Sequence, residues 1–281
     1  MKSVKIVADS GCDLPRQLLK RYDISIVPLV VQIGDDTYYH GQFDPEILWR
    51  RLPNERATTS GPPPGLFRQV FERLVNLGND VVCITLTSKH SSTFNTAWTV
   101  AQEFANHVRV VDSWSISLGM GIQVLAAAIA AQAGRTTDEI VQLVEHLRRR
   151  TRVRLVLNTL EYVRRGGRLA RVMPAIDRMC RALNIKPIIG IVEGEMKLMG
   201  AARSLKGALR RIESEASHWG AMEQIAVAHT RLPEFVEEVA RRLAEEFHVV
   251  RENIMVEEAG PAFAVHAGPG ALGVVLLPKE E

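Results

Sequence analysis

At 281 residues, with 46% hydrophobic and 24% charged side chains, the chain exceeds the usual size of one compact domain and has an ordinary globular composition, so two domains or one large α/β unit is expected. The net charge of +3 supplies no strongly basic face, and nothing in it points to nucleic acid. The three cysteines, Cys12, Cys83 and Cys180, are far apart and odd in number, which excludes a disulfide framework or a metal-ligand spacing and fits a reducing, cytoplasmic setting.

Val4 to Ala8 reads as a strand, and its apolar run is broken by Asp9 too early for a signal peptide. The turn Asp9-Ser10-Gly11-Cys12-Asp13-Leu14-Pro15 follows, with Asp13 placed to cap a helix through Tyr22. Ile24 to Ile33 is extended, and Gly34-Asp35-Asp36 makes a hairpin turn before Thr37-Tyr38-Tyr39. Asp44-Pro45-Glu46 starts a helix with a capping acid, proline at the first helical position and an acid in the first turn; Pro53 closes it. Thr58-Thr59-Ser60-Gly61-Pro62-Pro63-Pro64 predicts a stiff loop, leading to a helix from about Gly65 to Leu77.

The run beginning Val81-Val82-Cys83-Ile84 predicts a buried strand that ends in hydroxyls at Thr85, Thr87, Ser88, Ser91, Ser92 and Thr93. A helical pattern follows through Phe94, Ala97, Trp98, Ala101 and Phe104. A helix N-terminus offers unpaired N–H groups and the positive end of the dipole, so hydroxyls crowded there can seat a carboxylate or phosphate. Ser is also a favoured cap, and that reading stands beside the first. Val108 to Val111 is a strand ending in Asp112-Ser113. Ser113 to Gly134 carries no charge but is mostly Ala, Gly, Ser and Gln, which predicts a helix buried in a soluble core and not a membrane span. Thr137-Asp138-Glu139 starts a helix ending in Arg148-Arg149-Arg150.

In the second half Val153 to Leu157 is a strand, Leu160 to Arg165 a short helix and Met173 to Leu183 helical. Ile185 to Val192 and Glu195 to Ala201 flank Glu193-Gly194 as a β-hairpin. Helices over Leu205–His218 and Pro233–Phe247 alternate with strands at Ile225–His229, Ile254–Glu257 and Ala271–Leu277. The whole predicts an α/β protein of two domains. Residues 1–150 form an N-terminal domain on a parallel sheet flanked by helices. Residues 151–281 form a C-terminal α+β domain with a mainly antiparallel sheet.

Four polar groups follow apolar strands: Asp9-Ser10, Thr59-Ser60, Ser91-Ser92 and Asp112-Ser113. Ligands bind at the carboxyl ends of parallel strands, although each group alone also suits a cap or turn. No Gly-x-Ser-x-Gly elbow, phosphate-binding loop or His-Glu-x-x-His pattern occurs, so no metal or cofactor is expected. Cys12 lies among acids, which raise a thiol pKa, and reads as a small packed residue. His266 precedes Gly268-Pro269-Gly270 at the rim of a turn, and Arg203, suited to bidentate anion binding, precedes Ser204, a good cap. The basic run from Arg148 to Arg171 is a solvated face or a docking patch.

These pieces, in this order, resemble the DegV family of bacterial fatty-acid-binding proteins. The resemblance is carried by Val7-Ala8-Asp9-Ser10 with Asp13-Leu14-Pro15, Thr59-Ser60 before a proline-rich turn, Ser91 with Thr93, and Val111-Asp112-Ser113. Ser117-Leu118-Gly119, Leu160-Glu161-Tyr162 with Gly166-Gly167-Arg168, Asn184-Ile185-Lys186-Pro187, Arg203, and His266 with Gly268-Pro269-Gly270-Ala271 extend it over nearly the whole chain. His40-Gly41 stands where the family often has Asp-Gly, Ser92 where a Gly commonly follows the binding Ser, and Gly61 where Gln is frequent.

The resemblance implies a lipid carrier without catalytic activity of its own. One long-chain fatty acid would lie in a buried tunnel between or within the two domains, its carboxyl group presented to a separate fatty acid kinase, and the acyl phosphate would stay on the carrier. Thr59, Ser91 and His266 would contact the carboxyl group, with Ser60, Ser92 and Arg203 in support and Arg164, Arg165 and Arg168 docking the partner. Transient contact with a membrane is compatible with that role. Burying about fourteen methylenes gains roughly 11 kcal/mol gross at about 0.8 per CH₂, from which association and ordering subtract a large part. The alternative from the residues themselves is a serine/histidine hydrolase or acyl-transfer enzyme using Ser91 or Ser92 with His266.

Overall fold

The computed structural model describes residues 3–166 and 185–280. Its contacts divide the chain into two units, Met1–Arg149 with Gly260–Ala262, and Arg150–Ala259 with Phe263–Glu281.

The first unit is built on four parallel strands, β1 (Val4–Asp9), β2 (Ser25–Val27), β6 (Asp80–Thr85) and β7 (Val108–Asp112), in the order β2-β1-β6-β7. These strands are short apolar runs because both faces are covered. Val7, Val81 and Cys83 pack against Phe67, Phe71 and Leu74 of α3 (Pro64–Asn76) and Ala97, Val100 and Ala101 of α4 (Thr93–Ala101). Ile6, Ala8, Val82 and Ile84, pointing the other way, are equally buried. The uncharged segment forms α5 (Leu118–Gln132), which packs on β1; its Gly121 lies so near the Cys12 carbonyl that a Cβ would stand 2.6 Å from that oxygen. Among the described residues no helix is long and apolar enough to cross a membrane.

Between β2 and β6 the chain forms a separate antiparallel sheet of β3 (Val30–Ile33), β4 (Asp36–Tyr39) and β5 (Ala57–Ser60), with β3 in the middle. Two expectations change here. The extended stretch Ile24–Ile33 is two strands in different sheets, β2 and β3, separated at Pro28. Thr58–Ser60, expected in a loop, belongs to β5, where Thr59 pairs with Val31. The helix expected at Asp44 is α2 (Pro45–Arg51), capped by the Asp44 carboxylate on the Glu46 N–H at 3.0 Å. The short helix after Pro15 is α1 (Arg16–Arg21), which has no side-chain cap; Asp13 is committed elsewhere. α6 (Thr137–Arg150) follows α5.

The second unit carries six strands in the order β10-β9-β8-β13-β11-β12. They are β8 (Arg152–Val156), β9 (Lys186–Val192), β10 (Glu195–Ala202), β11 (Met222–His229), β12 (Met255–Glu258) and β13 (Leu272–Pro278). All neighbours are antiparallel except β11 with β12. The sheet is thus mainly antiparallel, and the expected α/β class, with a parallel sheet in the first unit and a mainly antiparallel one in the second, is observed, the small three-stranded sheet being an addition to it. One face packs on α8 (Leu205–Ala216) and α9 (Pro233–Phe247) through Val156, Ile188, Val227, Val274, Leu209 and Leu243. α8 starts at Ser204, whose hydroxyl accepts from the Gly207 N–H at 3.1 Å. α7 (Glu161–Gly166) follows β8, and α10 (Pro261–Ala267) lies between β12 and β13. The helix expected over Met173–Leu183 lies outside the described residues.

Candidate functional site

Because the chain runs from β1 out to β2 and returns to the other side of β1 at β6, the parallel sheet has a switch point between β1 and β6. In open parallel sheets ligands bind beyond the carboxyl ends of the strands at such a switch point. Of the four polar groups at strand ends, two brace these loops. Asp9 accepts the Gly11 N–H at 2.8 Å on one oxygen and the Leu86 N–H at 2.7 Å on the other. The Ser10 hydroxyl accepts the Leu29 N–H at 2.9 Å. Asp112 accepts from Trp114 N–H at 2.9 Å and Ser88 N–H at 3.2 Å, and Ser113 is tied to Ser115. Burial pushes the Asp9 carboxyl up to about 7, against the two backbone N–H groups that favour its charge.

The other two groups lie at the first turn of α4. Ser91 is half-buried and its hydroxyl accepts from the Thr93 N–H at 3.2 Å while lying 2.8 Å from the Thr93 hydroxyl. Ser92 occupies the cap position but makes no side-chain cap bond and is exposed, so the capping role falls to Ser91. The end of β5 lies against this turn: a Cβ on Gly61 would stand 2.9 Å from Thr93 Oγ1 and 3.5 Å from Ser92 Oγ. Thr59, half-buried, and Ser60, exposed, are the two positions before Gly61 on that strand and its end. The fold therefore gathers Thr59, Ser60, Ser91 and Ser92 at one corner of the first unit.

His266 belongs to the second unit. It precedes the Gly268–Gly270 turn as expected, but from the last turn of α10, a helix the sequence reading does not include, and it is partly buried. Seven residues flanked by glycines gave no helical period to read. Gly268, at φ +68°, ends the helix with its N–H on the Ala264 carbonyl at 2.8 Å, the left-handed glycine cap. It has no room for a side chain, since a Cβ would meet the Tyr162 ring at 2.2 Å. Arg203 is exposed between β10 and α8.

The basic run is not one solvated face. Arg148 stacks on Trp114 with its guanidinium 4.0 Å from the ring centroid and donates to the Asp112 carbonyl at 3.0 Å. Arg154 is 3% exposed on β8 and paired with Glu215. Arg164 is exposed on α7; the Arg165 side chain and Arg168 lie outside the described residues.

Asp13 has a role that sequence reasoning missed. Its carboxylate accepts from the Ser117 hydroxyl at 2.6 Å and from the Gly260 N–H at 3.1 Å, so it holds residues 104 and 247 positions away. His40 packs on the same spot; a Cβ on Gly260 would lie 2.0 Å from its Nε2. Burial pushes the His40 imidazole down to about 4. At 3.9 Å its Nε2 is beyond hydrogen-bond distance of Asp13, so at neutral pH this contact is packing and not an ion pair. Cys12 is buried and burial raises its thiol pKa, in keeping with a packed residue. Among the described residues no group of three or more His, Cys, Asp or Glu could hold a metal ion.

Residues 3–279 match the family described as "Uncharacterised protein, DegV family". A DegV domain-containing protein of Caldanaerobacter subterraneus subsp. tengcongensis is 35% identical over 286 residues, covering 99% of this chain and 100% of that protein. A solved DegV family protein from Thermus thermophilus, described by its fatty acid binding, is 28% identical with a TM-score of 0.88, over 99% of this chain and 100% of that one. DegV of Bacillus subtilis, described as a fatty acid binding protein, is 25% identical with a TM-score of 0.85, over 99% and 100% of the two chains.

Proposed function

This chain belongs to the DegV family, and from that premise we propose that it binds a long-chain fatty acid and acts as its carrier. The observation that carries the reading is full-length similarity to the Thermus thermophilus protein, whose fatty acid binding is known, at 28% identity and a TM-score of 0.88. The carboxyl group is received by Thr59 and Ser91, with His266 as the third contact and Ser60, Ser92 and Arg203 in support. The hydroxyl chemistry suits this. When Thr93 Oγ1 donates across its 2.8 Å contact, Ser91 keeps its own O–H proton for a carboxylate. Neutral donors also accommodate the same group as an acyl phosphate, which supports presentation to a separate fatty acid kinase; Arg164, Arg165 and Arg168 are the proposed docking residues.

Native mass spectrometry of the purified chain, with solvent extraction of any adduct, tests the carrier reading. A stoichiometric adduct that extracts as a long-chain fatty acid is expected. A clean unliganded mass, with no uptake of added oleate or palmitate, would overturn it. Ser91→Ala and His266→Ala test the head-group assignment: each should lose retained lipid while keeping the native circular dichroism spectrum, and unchanged lipid content in both would sink it. Hydrolysis of acyl esters by the isolated chain, abolished in Ser91→Ala, would instead establish the hydrolase alternative.

A further inference from the structure

The turn after His266 is clasped by one buried residue, Thr230, through its hydroxyl and its backbone. Gly268-Pro269-Gly270-Ala271 has the proline and the positive-φ glycine, Gly270 at φ +80°, of a type II turn. Such a turn is usually closed by a bond from its fourth N–H to its first carbonyl. Here the Thr230 side chain stands between the two ends. Its Oγ1 donates to the Gly268 carbonyl at 2.6 Å and accepts from the Ala271 N–H at 2.9 Å. Its backbone adds two more bonds, Thr230 N–H to the Ala271 carbonyl at 3.0 Å and Gly270 N–H to the Thr230 carbonyl at 2.7 Å. Thr230 is fully buried and is the first residue after β11 (Met222–His229), so the clasp is anchored directly to the end of a sheet strand.

We propose that Thr230 is a positioning residue for His266, an inference that rests on the fatty-acid reading above. Gly268 is the pivot. Its N–H closes the last turn of α10 on Ala264, and its carbonyl is fixed by Thr230. His266 lies between those two anchors, so the place of its imidazole relative to the sheet depends on the Gly268 peptide. Tyr162 packs closely against Gly268 and Asn158 against Gly270, where a Cβ would lie 2.6 Å from the Asn158 amide nitrogen, so side chains as well as the clasp confine the turn. A hydroxyl is required at position 230 because one atom must both donate and accept; valine has the same shape and does neither.

The test uses the full chain and cis-parinaric acid, a fluorescent long-chain fatty acid. Thr230→Val should weaken its binding about tenfold, the equivalent of one lost hydrogen bond in the head group. Thr230→Ser should restore it, and Thr230→Cys, with a weak donor of similar size, should fall between. The His266 imidazole resonances should shift in Thr230→Val and return in Thr230→Ser, a signature that mere loss of stability does not produce. In a His266→Ala background the Thr230→Val step should cost nothing further. If His266→Ala weakens binding but Thr230→Val and Thr230→Cys bind like wild type, or if the Thr230 effect persists without His266, the positioning role is wrong. If His266→Ala itself binds like wild type, the head-group assignment falls and the Thr230 role with it. Should Thr230→Val not fold, the Thr230→Cys and Thr230→Ser pair decides by the same criteria.

Discussion

The Asp9 carboxylate accepts a hydrogen bond at 2.7 Å from the backbone N–H of Leu86, 77 residues further along the chain. The bond ties the loops leaving β1 and β6 across the switch point of the parallel sheet, and it does so with an acid that burial holds near a pKa of about 7. His40 is shifted the opposite way, down to about 4. The consequences for stability oppose each other. For Asp9 the folded pKa lies above the unfolded one, so stability falls as pH rises from about 4 to about 7 and is level above that. For His40 the folded pKa lies below the unfolded one, so stability rises from about pH 4 to about 6.5 and is level above. Across that shared window the two slopes offset each other. Urea unfolding as a function of pH should therefore give a shallow profile for the native chain. Asp9→Asn should expose the rising limb, and His40→Gln the falling one. Profiles of both variants parallel to that of the native chain would refute the assignment.

Gly61 offers a test of the corner where β5 meets α4. A Cβ there would lie 2.9 Å from Thr93 Oγ1 and 3.5 Å from the Thr93 Cα, so the hydroxyl must shift and its 2.8 Å contact to Ser91 must lengthen. Gly61→Ala should cost about 1 kcal/mol by overpacking and, on the proposed carrier reading, weaken fatty-acid binding along with it. In a Thr93→Ala background the crowded atom is gone, and the same substitution should cost close to nothing. A double-mutant cycle by chemical denaturation reads the coupling; additive costs would mean that the two sites do not meet.

The contrast between what the chain's local pattern reveals and what it hides follows from sequence separation. Asp44-Pro45-Glu46 and Ser204 mark helix starts because a cap is a contact between residues a few positions apart. The Gly34-Asp35 hairpin, with Ile33 paired to Asp36, is local for the same reason. Thr58–Ser60 looked like loop because its strand exists only by pairing with β3, whose residues lie more than twenty positions earlier. Asp13 looked like a helix cap because its partners, Ser117 and Gly260, cannot be inferred without the tertiary fold. In the candidate site Ser91 was legible, since a strand running into a hydroxyl-rich helix start is a local signal. Thr230 was not: nothing near it in sequence announces that its hydroxyl closes a turn 38 residues away.

Gly268 should be among the least replaceable residues of the second unit. Its φ of +68° costs a residue with a Cβ about 1–2 kcal/mol, and the Tyr162 ring stands where that Cβ would go, 2.2 Å from Cδ2. Overpacking adds about 1–3 kcal/mol. Gly268→Ala should thus lower the unfolding midpoint markedly. Combining it with Tyr162→Ala should recover the part due to overlap and leave the part due to the backbone. Full recovery would show that the backbone conformation carries no strain, and no recovery would show that Tyr162 is not the obstacle.

Arg154 and Glu215 form an unequal pair. The arginine side chain is 4% exposed and the glutamate 37%. Arg154 Nε donates to Glu215 Oε2 at 2.9 Å, Nη2 to Oε1, and Nη1 to the Val153 carbonyl at 3.0 Å, with Trp219 5.2 Å from the guanidinium carbon. Removing the acid strands a cation that water cannot reach, whereas removing the cation leaves an acid that water can solvate. Glu215→Ala should therefore cost about 3 kcal/mol, in the range for breaking one side of a buried pair. Arg154→Met, which keeps an apolar stem against Trp219, should cost clearly less. Thermal unfolding of the two single variants and the double variant settles the order: the double variant should resemble Arg154→Met, because the stranded charge is then absent. A larger loss in Arg154→Met than in Glu215→Ala would mean that packing by the guanidinium, and not its pairing, holds β8 to α8.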